Sequence, residues 1–249
     1  MTITSKEQFD RIVRQLKSLF QWRFEITKSF PKWKLKTSDS STKDIDIICG
    51  QHLASITKRA FIPPYSWVFQ PISISEIKKL YYIVKDEYGI DAADYLIIRF
   101  IKTRIAFCDE WLFDDQQNIT KNPNSKEKEC DFLINGVKFD LKSTVLPKLF
   151  PTIPETNADK LSLARFLYEN QSGKDTKSGR FGSGNRIFII LCPSIRDKEN
   201  ESTNEMILAL DYKKKLRYIE QFCKSYDMQE ESLIFFNGHL CQYRFIFIQ

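Results

Sequence analysis

Asp131, Asp140 and Lys142 are the residues whose types and spacing point most directly to chemistry, and Asn135-Gly136 fixes how they meet. Asn-Gly between two runs of alternating polarity predicts a two-residue type I′ hairpin turn, because both residues tolerate positive φ. Counting outward sets Ile134 opposite Val137, Leu133 opposite Lys138, Phe132 opposite Phe139 and Asp131 opposite Asp140, with Cys130 facing Leu141 and Glu129 facing Lys142. Side chains alternate along a strand, so Cys130, Phe132, Ile134, Val137, Phe139 and Leu141 form an apolar face. Glu129, Asp131, Lys138, Asp140 and Lys142 share the other face with Leu133. Two carboxylates directly opposed across a hairpin repel each other. A divalent cation is the economical compensation: Mg²⁺ takes one or two carboxylates and completes its shell with water and phosphate oxygens. Lys142, on the same face, is placed to orient or deprotonate a water, or to steady charge building on a phosphate. The competing reading is an exposed sheet face whose acids are neutralised by Glu129–Lys142 contact and nearby lysines. That reading does not explain why both aspartates share one cross-strand position.

The pattern Asp131, then eight residues, then Asp140-Leu141-Lys142 resembles the D…(D/E)-x-K signature of the PD-(D/E)xK nucleases, the class that includes many type II restriction endonucleases. The resemblance covers residues 90–192 and implies an α/β fold: a restriction-endonuclease-like mixed sheet flanked by helices, with an αβββαβ core and N-terminal helical or irregular additions. It implies a Mg²⁺ site, with Mn²⁺ able to substitute, held by Asp131, Asp140 and the Leu141 carbonyl while Lys142 assists the attacking water. The implied activity is Mg²⁺-dependent hydrolysis of DNA phosphodiester bonds within a restriction system, and cutting two strands implies a homodimer. Cys130 stands where the family name has proline, and the second acid is Asp rather than the commoner Glu. Many members carry a further acid on the helix before the sheet; Glu87, Asp94 and Glu110 are candidates here, with Glu129 on the hairpin itself. Trp111 to Phe113 is the candidate for the family's first strand. A nucleic-acid-binding module without catalysis, a repair or recombination nuclease, and an RNA nuclease are the alternatives.

Elements that must position this hairpin are legible from periodicity. Thr4-Ser5-Lys6-Glu7 and Ser73-Ile74-Ser75-Glu76 are capping boxes that open helices, the first over 5–20 through Phe9, Ile12, Val13, Leu16 and Phe20. The second runs through Ile77, Leu80, Tyr81 and Val84 to Gly89. Asp91 is a candidate cap for a largely buried helix over 92–108, and Pro154 and Asn157 open another that reaches Asn170. Arg186 to Cys192 reads as a buried strand, Met206 to Leu210 as another, Tyr212 to Tyr226 as a basic amphipathic helix, and Asn237-Gly238 as a second hairpin turn.

Composition bounds the rest. With 42% hydrophobic and 28% charged residues the chain can bury a substantial core. No apolar run is long enough to span a bilayer and the start lacks a signal-peptide core, so no membrane association and a cytoplasmic location are expected. Six cysteines without C-x-x-C pairing suggest neither a disulfide framework nor a zinc cage. The net charge of +6 is uneven: residues 1–70 carry twelve Lys and Arg against six acids. That stretch reads as a basic N-terminal region, a candidate DNA-binding subdomain, ahead of a nuclease core with a C-terminal α/β extension over 71–249. Lys34 and Lys36 there, and Lys174, Lys177 and Arg180 beside Arg186, are candidate contacts for DNA, since binding a polyanion is driven by counterion release. Lys213, Lys214, Lys215 and Arg217 form another basic cluster. Trp22, Phe24, Phe30 and Trp33 interleave with lysines, which fits either nucleic-acid contact or core packing. His52 and His239 are the only histidines, which disfavours chemistry needing clustered imidazoles. Ile62-Pro63-Pro64-Tyr65 lacks the polar residue that an amino-directed methyltransferase needs before its prolines, and reads as a turn.

Overall fold

A computed structural model of the chain describes residues 6–24, 40–123, 130–171, 184–193, 207–226 and 232–249. The chain divides into two compact units, Met1–Cys108 and Asp109–Gln249. Among the described residues no helix is long and apolar enough to cross a membrane.

The first unit is helical. Helix α1 (Lys6–Phe24) and helix α2 (Ser40–Thr57) are followed by a 3-10 helix (Pro64–Phe69), α3 (Ile74–Tyr88) and most of α4 (Ile90–Asp114). Pro63 sits at the N-cap of the 3-10 helix, so the Pro-Pro segment starts a turn, as expected. Ser73 and Glu76 form the expected capping box, and Gly89 ends α3 at φ 90°. Asp91 lies in the first turn of α4, which starts one residue earlier, so it is not the cap. Ion pairs are buried inside this unit. Arg23 meets Asp94, and the Arg99 Nε is 2.8 Å from Asp46, which also accepts the Trp67 indole N–H at 2.8 Å. Arg23 therefore faces a carboxylate in the core rather than an external polyanion. Trp22, half-buried, packs edge-on to Tyr81 at 5.2 Å, with Lys78 over its ring.

The second unit is a mixed α/β arrangement around a six-stranded mixed sheet. Its strands are β1 (Ile119–Lys121), β2 (Phe132–Ile134), β3 (Val137–Val145), β4 (Arg186–Leu191), β5 (Ser232–Phe236) and β6 (His239–Ile248). Their spatial order is β1-β2-β3-β4-β6-β5. The pairs β1/β2, β2/β3 and β5/β6 are antiparallel, whereas β3/β4 and β4/β6 are parallel. Helix α5 (Asn157–Gln171) makes the crossover from β3 to β4, and α6 (Tyr212–Ser225) precedes the last hairpin.

Every residue of β4 is buried, as a strand covered on both faces must be. Leu163, Leu167 and Tyr168 of α5 pack on Phe188, Ile190 and Tyr243 on one face. Arg244, alternating with Tyr243, lies against the Tyr226 ring beside α6, so α6 covers the other face. All six cysteines are free and buried, behaving as small core hydrophobes.

Two expected strands are absent. Trp111–Phe113 is helical, because the buried stripe of α4 continues through Ile105, Cys108 and Leu112 at helical spacing. The first strand is Ile119–Lys121 instead. Residues 207–210 form a helical turn rather than a strand, closed by the Asp211 N–H donating to the Leu208 carbonyl at 3.2 Å. Asp211 then caps α6 by accepting from the Lys214 N–H.

Candidate active site

The Asn135-Gly136 turn has φ of 49° and 84°, and the strands leaving it pair Ile134 with Val137, Leu133 with Lys138 and Phe132 with Phe139. This is the register read from the sequence. The ladder ends at Phe132 and Phe139: Asp131 lies just before β2 and its N–H donates to the same Phe139 carbonyl at 2.9 Å, so Asp131 and Asp140 are not a ladder pair, although their carboxyls lie close together. The apolar face is buried at Cys130, Phe132, Ile134, Phe139 and Leu141. Val137, next to the turn, is exposed, although its cross-strand partner Ile134 is completely buried.

Asp140 is more enclosed than a residue on an open polar face. It lies where β3 stops pairing with β2 alone and begins its parallel ladder with β4, opposite Arg186. The Asp140 N–H donates to the Asn185 carbonyl at 3.0 Å, and Asn185 bridges onward through its side chain to the Lys138 carbonyl and the Gln242 N–H. One Asp140 carboxylate oxygen accepts from Lys142 Nζ at 2.6 Å, and the other lies 3.6 Å from the Arg186 Nε. The Arg186 guanidinium is stacked over the Tyr168 ring, 4.5 Å from its centre. Composition had placed Arg186 in a surface basic cluster; it is buried beside the acid instead.

Asp131 accepts the Leu141 N–H on Oδ2 at 2.7 Å, so the middle residue of Asp140-Leu141-Lys142 orients the opposing acid. Burial pushes the Asp131 carboxyl well above the usual carboxylate range; the Leu141 N–H opposes this, while the neighbouring Asp140 charge adds to it. Glu110, in the last turns of α4, belongs to the same cluster. Burial raises its carboxyl to about 8, and Asp131 is the strongest of the neighbouring acids that push it further, with Lys142 opposing. Of the three helix acids read as candidates, Glu110 is the one brought to the hairpin. Asp94 is paired with Arg23, and Glu87 with His52 at 3.1 Å, which also accounts for that histidine.

Behind the acids lies a contact that the sequence reading missed. Asp109 accepts the Ser143 hydroxyl on one oxygen and Lys215 Nζ on the other, both at 2.6 Å. Since Asp109 adjoins Glu110 and Ser143 adjoins Lys142, one carboxylate ties together the two chain segments that carry them. Lys215 was read as part of a basic surface cluster and is completely buried. The available signal was its spacing from Tyr212, Ile219 and Phe222, which places it on the apolar stripe of α6.

Glu129, Lys34, Lys36, Lys174, Lys177 and Arg180 lie outside the described residues, as does the start of the first capping box. No family model, curated protein or solved structure matches the chain. What the cluster can do therefore has to be read from its own chemistry.

Among the described residues no three His, Cys, Asp or Glu side chains are grouped as a ready-made metal cage. Mg²⁺ asks for less, since one or two carboxylates suffice when water and substrate oxygens complete the shell. The donor set fits such an ion. Asp131 and Asp140 offer hard oxygens within hydrogen-bonding reach of each other, and burial first, then the neighbouring acids, raises the Asp131 and Glu110 carboxyls.

Proposed function

We propose that the Asp109–Gln249 unit hydrolyses phosphodiester bonds in DNA as a Mg²⁺-dependent endonuclease of the PD-(D/E)xK kind, resembling type II restriction enzymes. The observation that carries this reading is the meeting of Asp131, Asp140 and Lys142 with Glu110, from two strands and the preceding helix. The order α4-β1-β2-β3-α5-β4, with three antiparallel strands followed by a parallel one, agrees with the αβββαβ core that such enzymes have.

In this reading Asp131, Asp140 and the Leu141 carbonyl would hold the ion, with Glu110 near Asp131 as a further acid and not as a third ligand. Bound Mg²⁺ lowers the pKa of a water and neutralises charge on the phosphate. Lys142 orients the attacking water and stabilises negative charge gathering on the phosphoryl oxygens. Arg186 keeps the Asp140 carboxylate turned toward the site, and the Leu141 N–H does the same for Asp131. A homodimer, each protomer cutting one strand, and a cytoplasmic restriction role follow from the same reading.

Incubating the purified protein with long DNA tests it. Cleavage requiring Mg²⁺ or Mn²⁺, abolished by chelation and by Asp140→Ala, is expected, and discrete fragments would establish sequence specificity. Absence of cleavage on DNA and RNA alike, with the ion bound, would remove the enzymatic reading.

A second reading has its own support. Asp140 is already neutralised by Lys142 and Arg186, so the cluster could serve a nucleic-acid-binding module without catalysis. Such a module binds DNA equally well with and without Mg²⁺ and keeps its function in Lys142→Ala. A repair or recombination enzyme, or one acting on RNA, would use the same residues on a differently shaped substrate.

A further inference from the structure

The first unit contains a cavity of about 660 Å³ formed by α1, the segment before α3, the start of α3 and Arg104 of α4. Three arginines, Arg11, Arg14 and Arg104, line it against one acid, Glu76. Glu76 Oε2 accepts from both the N–H and the hydroxyl of Ser73, another lining residue, at 2.7 Å, so this acid is held by the capping box of α3. Arg11 and Arg14 are three residues apart on α1, so they project from the same side of the helix.

The walls are held in place by the chain's own polar contacts. Gln15 donates to the Ile72 carbonyl at 2.6 Å and Arg104 donates to the Gln70 carbonyl, tying α1 and α4 to the two ends of one short segment. Arg104 is buried. Its guanidinium lies over the Phe100 ring, 4.9 Å from its centre, so Arg104 contributes a fixed positive charge to the lining, while the planar donors of Arg11 and Arg14 match the paired oxygens of a phosphate.

The lining also includes apolar Ile12, Pro71, Ile72 and Ile74, with Gln15 and two serines. A cavity of this size exceeds what a bare phosphate needs, and it lies in the range of small-molecule and cofactor sites. Its chemistry calls for an anion with a flat, weakly polar body. We propose that this cavity binds a nucleotide, with the phosphate on Arg11, Arg14 and Arg104 and the base against the apolar wall. The nucleotide is either free or an unpaired residue of a nucleic-acid strand, since both present the same group.

The test uses the full chain in chelator, so that divalent-metal chemistry is silent. Adenosine 5′-monophosphate, adenosine, and a short 5′-phosphorylated oligodeoxythymidylate are titrated by calorimetry against wild type and Arg11→Gln/Arg14→Gln. Both substituted residues are exposed, and circular dichroism verifies that the variant folds. The phosphorylated probes should bind, and the variant should bind them roughly tenfold more weakly or worse, as expected for loss of charge-assisted hydrogen bonds. Binding of the mononucleotide assigns the site to free nucleotide; binding of the oligonucleotide alone assigns it to a strand. Equal affinity for adenosine and its monophosphate, unchanged affinity in a folded variant, or no binding of either phosphorylated probe would overturn the proposal. Because the cavity belongs to Met1–Cys108 and is assayed without metal, its failure and failure of the nuclease reading are separate results.

Discussion

Lys215 Nζ lies 2.6 Å from Asp109 Oδ1, and neither side chain has any exposed surface. A pair this deep is costly to assemble and more costly to break, because removing one partner strands the other charge. Lys215→Met should therefore destabilise the protein by ~3–5 kcal/mol in urea denaturation. Asp109→Leu combined with Lys215→Met should recover most of that loss, less ~1 kcal/mol for the Ser143 hydrogen bond. If the double variant is no more stable than Lys215→Met, the pair does not act as a compensated unit.

Glu110 makes stability depend on pH in a definite direction. Its carboxyl titrates at about 8 in the folded chain against an ordinary 4.5, so between those values the native state holds more protons than the unfolded one. Stability from this group is then complete below pH 4.5 and is lost as pH rises through 8. Asp131, raised in the same sense, adds to the same slope. In chelator the loss should amount to ~2–4 kcal/mol across this window, and its part above pH 6, where Asp131 no longer titrates, should be largely removed in Glu110→Gln. Denaturation midpoints measured from pH 4 to 9 read this directly, and a Glu110→Gln profile as steep as wild type would contradict the assignment.

The two Asn-Gly turns provide an internal control. Gly136 and Gly238 both have φ of 84° with open space where a Cβ would go, so alanine at either meets backbone strain without a clash. Each substitution should cost ~1–2 kcal/mol. Only Gly136→Ala should also weaken Mn²⁺ binding, since only that turn sets Asp131 against Asp140. Equal metal affinity in the two variants would show that hairpin register does not control the site.

Lys142 is expected to matter for rate and not for metal capture. Its ammonium rests on the Asp140 oxygen that a cation would approach. Lys142→Met should lower cleavage by ~10²–10⁴-fold while leaving Mn²⁺ affinity equal or tighter. A parallel loss of metal binding would mean that the lysine helps to build the acid pair instead.

The hairpin was readable because Asn135-Gly136 determines both turn type and the register of the three pairs from Ile134–Val137 to Phe132–Phe139, from which Asp140 and Lys142 follow along β3. Helical spacing likewise gave α3, α5 and α6 close to their observed limits. Glu110 was one of three helix candidates beside Glu129 on the hairpin, because only tertiary packing decides which acid of α3 or α4 reaches the hairpin. Lys215 and Arg186 were misread for a related reason: counting charges treats each lysine and arginine as solvated, whereas Asp109 and Asp140 hold these two inside. The short strand Ile119–Lys121 carries no local signal strong enough to separate it from a loop, and it exists by pairing with β2.

A nuclease of this kind requires Asp131 and Asp140 to gather a single cation between them. Titrating Mn²⁺ into the protein, followed by electron paramagnetic resonance, measures that directly. Wild type should show one tight site, weakened at least tenfold in Asp131→Asn and in Asp140→Asn, while Asp114→Asn, on the same helix as Glu110, stays close to wild type. Mn²⁺ affinity indifferent to both hairpin substitutions would contradict the claim and remove the metal from the site.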